Sequence, residues 1–296
     1  MSVPQRIAIS GASGLIGSAL VGHLKSEGHT VQRLVRRATV APDEIQWDPK
    51  TGFVDLEALR GVDAVIHLAG VGVGDKRWSK RFKAEILNSR LLGTTAIAKA
   101  VAEVKPQVFI SASAIGWYGD SGNRAVVESD SVGNDFLAAV CREWESAADL
   151  AGEVRTVKLR TGLVLDPTGG ALGRMLPLFR FGLGGKLGSG KQWWSWITLH
   201  DVVRAIVFAL EHPVSGPINL TTPNPVTNQE FTAALARAMN RPALFPAPAI
   251  ALKIALGGFS SEILGSKKVM PNALSDAGFI WDYPHITNAL TALVDQ

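Results

Sequence analysis

The chain has 296 residues, 47% hydrophobic and 19% charged, enough to bury a large core as one α/β unit or as a main domain with a smaller one. A single cysteine, Cys141, excludes an intrachain disulfide and fits a reducing compartment, so a cytoplasmic location is expected. The net charge of +4 is scattered, with small clusters at Arg36-Arg37 and between Lys76 and Lys83 and few interleaved aromatics; nucleic-acid binding is poorly supported, and a local site for a small anion explains the basic residues equally well.

No signal peptide is read at the start, because residues 6–10 already have the pattern of a buried strand. The most apolar late stretch, residues 247–259, is interrupted by Pro248, Lys253 and Gly257-Gly258, so neither a membrane span nor a membrane partner is expected.

In chain order, Ile7-Ala8-Ile9-Ser10 breaks into Gly11-Ala12-Ser13-Gly14-Leu15-Ile16-Gly17 and then into helical spacing at Leu15, Ile16, Ala19, Leu20 and Leu24. Strand, glycine turn and helix in that order are the context a dinucleotide fingerprint needs. Gly11 would make the tight turn, Gly14 would let backbone approach a pyrophosphate, and Gly17 would let the helix pack closely. The free N–H groups and positive end of the helix would hold phosphate. The spacing is G-x-x-G-x-x-G rather than G-x-G-x-x-G, and an ordinary glycine-rich turn is the plainer alternative.

Residues 30–35 read as a second strand. NAD-binding folds place an acid at its end, on the ribose 2′-hydroxyl. Here Arg36-Arg37 stand there instead, and guanidinium groups grip a 2′-phosphate that a carboxylate would repel, which predicts NADP(H) over NAD. Solvated loop charges are the alternative. Residues 45–48 form a short third strand, 56–59 a short helix, and 64–70 a strand buried on both faces that ends at the carboxyl edge, where open α/β sheets bind ligands. His67 within it reads as a satisfied core residue.

A long helix is expected over 79–104, strands over 107–112 and 154–160, and a helix over 136–150 between them. This alternation predicts a doubly wound parallel sheet with right-handed crossovers. Beyond Thr161, glycine-dense segments at 169–170 and 182–190 surround an apolar run at 175–181, and Trp193, Trp194 and Trp196 follow. They suit a substrate cleft or lid, or a surface excursion. Thr198 with Asp201 and Thr227 with Glu230 have capping-box spacing, so Asp201 reads as structural. A strand at 218–220, a proline-rich connection at 242–248 and a mainly helical tail complete the chain. The expected division is a dinucleotide-binding domain over 1–165 and a mixed substrate-side lobe over 166–296, with some interleaving.

The fingerprint, Leu68-Ala69-Gly70, Ser111-Ala112-Ser113 with Tyr118-Gly119-Asp120, and Trp196-Ile197-Thr198-Leu199-His200-Asp201 resemble the extended short-chain dehydrogenase/reductase superfamily. Over nearly the whole chain the resemblance is to YfcH-like epimerase-family proteins, through Lys76-Arg77-Trp78, Asn88-Ser89-Arg90, Arg160 to Leu165, the glycine loop and Lys267-Lys268-Val269-Met270-Pro271. It implies a Rossmann-type α/β fold with an NADP(H) site. The phosphates would lie on Gly11, Ser13, Gly14, Leu15, Ile16 and Gly17. Arg36 and Arg37 would meet the 2′-phosphate, and Leu68, Ala69 and Gly70 would line adenosine and ribose. Arg90 would replace a cofactor-facing asparagine, with Glu85 a little over a turn earlier, and Val164 would approach the nicotinamide. Glu85 and Arg90 are five apart, poor spacing for an ion pair.

The superfamily's Tyr-x-x-x-Lys pair, in which the lysine lowers the tyrosine's pKa, has no counterpart here: Tyr118 is followed four residues on by Gly122, and Tyr283 by Thr287. Aligning Glu145 with the helix's acid puts Leu137 and Cys141 at the two positions. Ser113 stands where relatives bond the reacting oxygen. Tyr118 is expected either to replace the missing acid or to pack on the second lobe. The chain thus reads as an NADP(H)-dependent oxidoreductase or epimerase acting on a carbonyl or nucleotide-sugar-like small molecule; the alternative is an NADPH-binding sensor or scaffold without turnover. The six histidines are dispersed and no metal site is expected. A homodimer is left open.

Overall fold

The computed structural model describes residues 3–294. Short apolar runs with side chains alternating between two covered faces build its main sheet. In β1 (Arg6–Ser10), Ile7 and Ile9 face one layer and Ala8 the other; in β5 (Ala64–His67), Ala64 and Ile66 oppose Val65; in β6 (Val108–Ala114), Val108 and Ile110 oppose Phe109. Both faces are apolar, which is why these strands read as continuous hydrophobic segments.

With β2 (Thr30–Val35), β3 (Glu44–Asp48), β4 (Phe53–Val54), β8 (Arg155–Thr161) and β12 (Gly216–Leu220), the order is β12-β8-β6-β5-β1-β2-β3-β4. All neighbours pair in parallel except β4, which runs antiparallel to β3. One layer is α1 (Leu15–Ser26), α6 (Leu199–Glu211) and Leu274 of α10 (Asn272–Asp276). The other is α3 (Lys80–Val104), with α4 (Phe136–Ala148) packed beside it and α2 (Leu56–Leu59) at the edge. The expected doubly wound sheet is therefore present.

Chain beyond residue 165 contributes to both the main sheet and a smaller lobe. After β9 (Leu163–Asp166) it leaves the sheet to form α5 (Gly170–Arg180) and β10 (Trp193–Trp194), returns through β11 (Trp196–Thr198), which pairs with β9, and then supplies α6 and the edge strand β12. The smaller lobe is α5, β13 (Val226–Thr227), α7 (Asn228–Ala238) and α11 (Ile286–Val294) around Leu172, Leu176, Phe179, Phe231, Leu235 and Leu290. Beside it lie α8 (Ala249–Leu256), α9 (Ser260–Leu264) and β14 (Lys268–Val269), which pairs with β7 (Ala125–Val126). Among the described residues no helix is long and apolar enough to cross a membrane.

Both capping predictions place helix starts correctly. Thr198 accepts from Asp201 N–H, and Thr227 with Glu230 forms a reciprocal box. Buried Asp201 instead accepts from the N–H groups of Asp282 and Tyr283 and from Arg204, tying α6 to the tail. Of the described residues, His200, Asp201 and Asp282 bring ligand-type atoms together, but the Arg204 guanidinium already pairs with both carboxylates, at 3.0 Å from Asp201 and 3.2 Å from Asp282.

Candidate functional site

A cavity of about 1330 Å³ opens at the carboxyl ends of β1, β2, β3 and β5. It exceeds the roughly 300–1,000 Å³ of ordinary small-molecule sites. One wall is the turn after β1. Gly11 has φ +71°, and a Cβ there would lie 2.8 Å from the Ala69 nitrogen; a Cβ on Gly17 would lie 2.1 Å from the Gly11 carbonyl oxygen. Both positions therefore require glycine, the first for conformation and the second for the approach of α1 to the turn. Gly14 is different: its Cβ would meet only the Gly11 oxygen, at 3.4 Å, and its open side faces the cavity. No side chain caps α1 at Gly14, so the first N–H groups of the helix are left for a ligand.

Gly11, Ser13, Gly14, Arg36, Arg37, Leu68, Ala69, Gly70 and Glu85 all line this one cavity. Leu15, Ile16, Gly17, Arg90 and Val164 do not belong to its lining. Leu15 is directed at the Gly169-Gly170 turn, Ile16 packs on the sheet core, and Val164 pairs with Ile197 in the β9–β11 ladder. Leu15 and Ile16 can therefore meet phosphate only through backbone.

Arg90 donates to the Val71 carbonyl at 2.9 Å and to the Ile86 carbonyl at 3.2 Å, and its guanidinium lies 4.8 Å from the Trp144 ring centroid. It thus braces the loop after β5, and burial lowers its pKa from the ordinary arginine value. Glu85 pairs with Lys76 at 3.5 Å, not with Arg90.

The two arginines after β2 are not equivalent. Arg37 makes a forked pair with Glu44, at 2.6 and 2.8 Å. Hydrogen bonds from Arg37 and from Val40 N–H hold the Glu44 carboxyl at about 2, and Arg33 approaches the same carboxylate at 3.2 Å. Among the described residues the Arg36 guanidinium has no hydrogen-bond or ion-pair partner, and it is exposed on the cavity rim. The expected paired clamp is therefore one free guanidinium beside one anchored guanidinium.

Trp47, Pro49 and Lys50 also line the cavity. Their signal was legible: Trp47 lies near the end of the third strand, and Pro49 and Lys50 follow it at the same carboxyl edge. Beneath the turn, Ser10 Oγ lies 2.6 Å from His67 Nδ1 and accepts weakly from Ala69 N–H at 3.4 Å. Burial pushes the His67 imidazole down to about 4, so it is neutral, but the expected satisfied core histidine is satisfied on one side only: among the described residues its buried Nε2 has no hydrogen-bond partner.

The two expected catalytic hydroxyls lie elsewhere. Ser113 is buried and donates to Glu145 Oε1 at 2.7 Å. Glu145 receives a forked pair from Arg160, at 2.8 and 2.9 Å. Arg160 also donates to Tyr118 Oη at 3.0 Å, and Tyr118 donates to Asn219 Oδ1 at 2.7 Å. Asn219 is fixed in turn by Met270 and Glu128.

Burial pushes the Tyr118 phenol up to about 12, against the pull of Arg160. Both hydroxyls sit inside this buried network, and neither belongs to the cavity lining. Tyr118 bonds Asn219 of β12 in the main sheet and packs with Val126 and Val269. Leu137 and Cys141 are buried against Gly116, and burial, with Glu145 nearby, pushes the Cys141 thiol up to about 12. Neither can serve as the missing acid.

A parallel, doubly wound sheet whose glycine turn opens on a carboxyl-edge cavity defines a Rossmann-type nucleotide-binding protein. The model of the NAD dependent epimerase/dehydratase family matches residues 7–221, and the chain belongs to that family. A domain of unknown function, DUF1731, matches residues 247–293. The chain is 48% identical over 288 residues to the epimerase family protein Mb2239 of Mycobacterium bovis, covering 96% of each. It is 46% identical to ML0860 of Mycobacterium leprae over 96% of this chain and 94% of that one. The structure is similar to that of human epimerase family protein SDR39U1 with NADPH, with TM-score 0.91 and 32% identity over 98% of this chain and 99% of that one.

Proposed function

We propose that the protein binds NADP(H) in the carboxyl-edge cavity and acts on a small carbonyl compound or a nucleotide-sugar-like molecule. The observation that carries the coenzyme choice is the unpartnered Arg36 guanidinium on the rim of the cavity formed by the fingerprint turn. Gly14 leaves room for a pyrophosphate, the uncapped start of α1 supplies N–H donors, and Leu68, Ala69 and Gly70 wall the adenosine side. Arg36 meets the 2′-phosphate, while Arg37, held by Glu44, adds positive field. The NADPH in the human SDR39U1 structure supports this choice. When bound, the coenzyme supplies or takes up a hydride.

A second reading, nucleotide binding without turnover as a sensor or scaffold, has its own observation. The hydroxyls of Ser113 and Tyr118 are committed to Glu145 and Asn219, and the positions of the superfamily pair are Leu137 and Cys141. The two readings separate in one experiment. The purified protein is loaded with NADPH and its absorbance and fluorescence are followed across aldehydes and ketones; it is loaded separately with NADP+, the hydride acceptor an epimerase needs, and given nucleotide sugars, with product sugars resolved chromatographically. NADPH oxidation or sugar isomerisation supports the first reading; tight NADPH binding with no conversion supports the second; no binding overturns both.

A further inference from the structure

The face of the smaller lobe formed by α5, the glycine loop and α8 is apolar and basic, and the segments that form it carry no acid of their own; among the described residues Arg174 alone of its cations is paired, with Asp75 from outside them. Residues 170–191 contain Arg174, Arg180, Lys186 and Lys191 but no Asp or Glu, and residues 231–261 contain Arg237, Arg241 and Lys253 but no Asp or Glu, in a chain with 26 acidic residues. Hydrogen bonds stitch the two segments together: Phe245 N–H to Gly184 O, Ala247 N–H to Lys186 O, Gly188 N–H to Ala247 O, and Arg241 Nε to Arg180 O.

On this face Phe181 is 81% exposed, Leu244 75%, Ile250 73% and Ile254 72%, with Phe245 beside them at 59%. Ile250 and Ile254 are four apart, so they share one side of α8. The sequence of α8, AIALKIAL, buries no residue at all. So apolar a helix with so much open surface marks an interaction site rather than ordinary scatter of surface hydrophobics.

The charges decide the occupant. Arg180, Lys186, Arg241 and Lys253 are exposed and, among the described residues, have no ion-pair partner. Two copies meeting through this face would press like charges together. An anionic bilayer satisfies both components: apolar side chains enter the headgroup boundary while the surrounding cations meet lipid phosphates. We propose that this face docks peripherally on an anionic phospholipid membrane, with Ile250, Ile254, Phe181 and Leu244 inserted and Arg180, Lys186, Arg241 and Lys253 on the headgroups. The sequence-based expectation of no membrane partner followed from the lack of a spanning segment, and surface docking needs none. The proposal is independent of the nucleotide reading.

Vesicle flotation of the full chain tests it, with phosphatidylcholine alone or with one-third phosphatidylglycerol. The chain should float with the anionic vesicles, at least roughly tenfold less with neutral ones, and should be released by high salt, which screens exposed charges. Ile250→Ser with Ile254→Ser, and separately Arg180→Glu with Arg241→Glu, should each abolish flotation while leaving the melting temperature and NADPH affinity unchanged. Absence of flotation with anionic vesicles, equal flotation with neutral ones, or a dimer in sedimentation that the same substitutions disperse would overturn the proposal.

Discussion

Arg36 and Arg37 are adjacent in sequence and differ in what holds them. Arg37 is fixed by Glu44, whereas Arg36 is free at the cavity rim. Arg36→Ala should therefore lower NADPH affinity roughly ten- to a hundredfold, the value of a charged hydrogen bond of about 1.5–3 kcal/mol, and leave NADH affinity unchanged. Equal loss for both coenzymes, measured by fluorescence titration, would contradict the assignment. Tyr118→Phe should cost about 1–2 kcal/mol in chemical denaturation, because it leaves buried Asn219 Oδ1 without its donor, and should not alter NADPH binding.

His67 makes a pH prediction. Its folded-state value of about 4 lies below its ordinary 6.5, so the unfolded chain binds more protons between these limits. Its contribution is complete above about pH 6.5 and is lost as pH falls toward 4, on the order of 3 kcal/mol in all. Replacing His67 with Gln should flatten the stability profile in that window; an unchanged slope would show that His67 does not set it. The arginine pair and the core histidine were both legible in the sequence. The anchoring of Arg37 by Glu44 was not, because it depends on how the loop after β2 folds back onto β3.

At the scale of elements, the fingerprint separates fold from binding. Gly17→Ala would drive a Cβ into the Gly11 carbonyl and should cost about 1–3 kcal/mol or prevent folding. Gly14→Ala has room and should leave stability within about 0.5 kcal/mol, yet weaken NADPH by about tenfold or more through the lost close approach. Calorimetric melts and affinities of the two variants check the contrast; equal effects would contradict it.

Most strands and helices were readable because their periodicity and caps are local. The strand expected over 64–70 ends at His67, since Leu68 to Gly70 turn outward to wall the cavity. The helix α5 was hidden by its glycines and Pro177. It forms because Leu172, Leu176 and Phe179 fall on one side and bury in the smaller lobe.

For the whole molecule, pairings far apart in sequence set the limits of such reading. Tyr118 and Asn219 are 101 residues apart, and β12, assigned by sequence to the second lobe, completes the main sheet. β11, α6 and β12 return from beyond residue 165 to the first unit. A fragment ending at 165 would expose the sheet surface that Ile197, Val202, Ile206 and Ile218 cover. It should lack a cooperative thermal transition by circular dichroism, whereas a sharp transition would show that the first unit needs none of these elements.

The measurement that tests the central claim most directly is isothermal calorimetry of the intact protein with NADPH and with NADH at one ionic strength. The account predicts binding of NADPH at least roughly tenfold tighter, with that preference lost in Arg36→Ala. Equal affinities, or a preference for NADH, would contradict it.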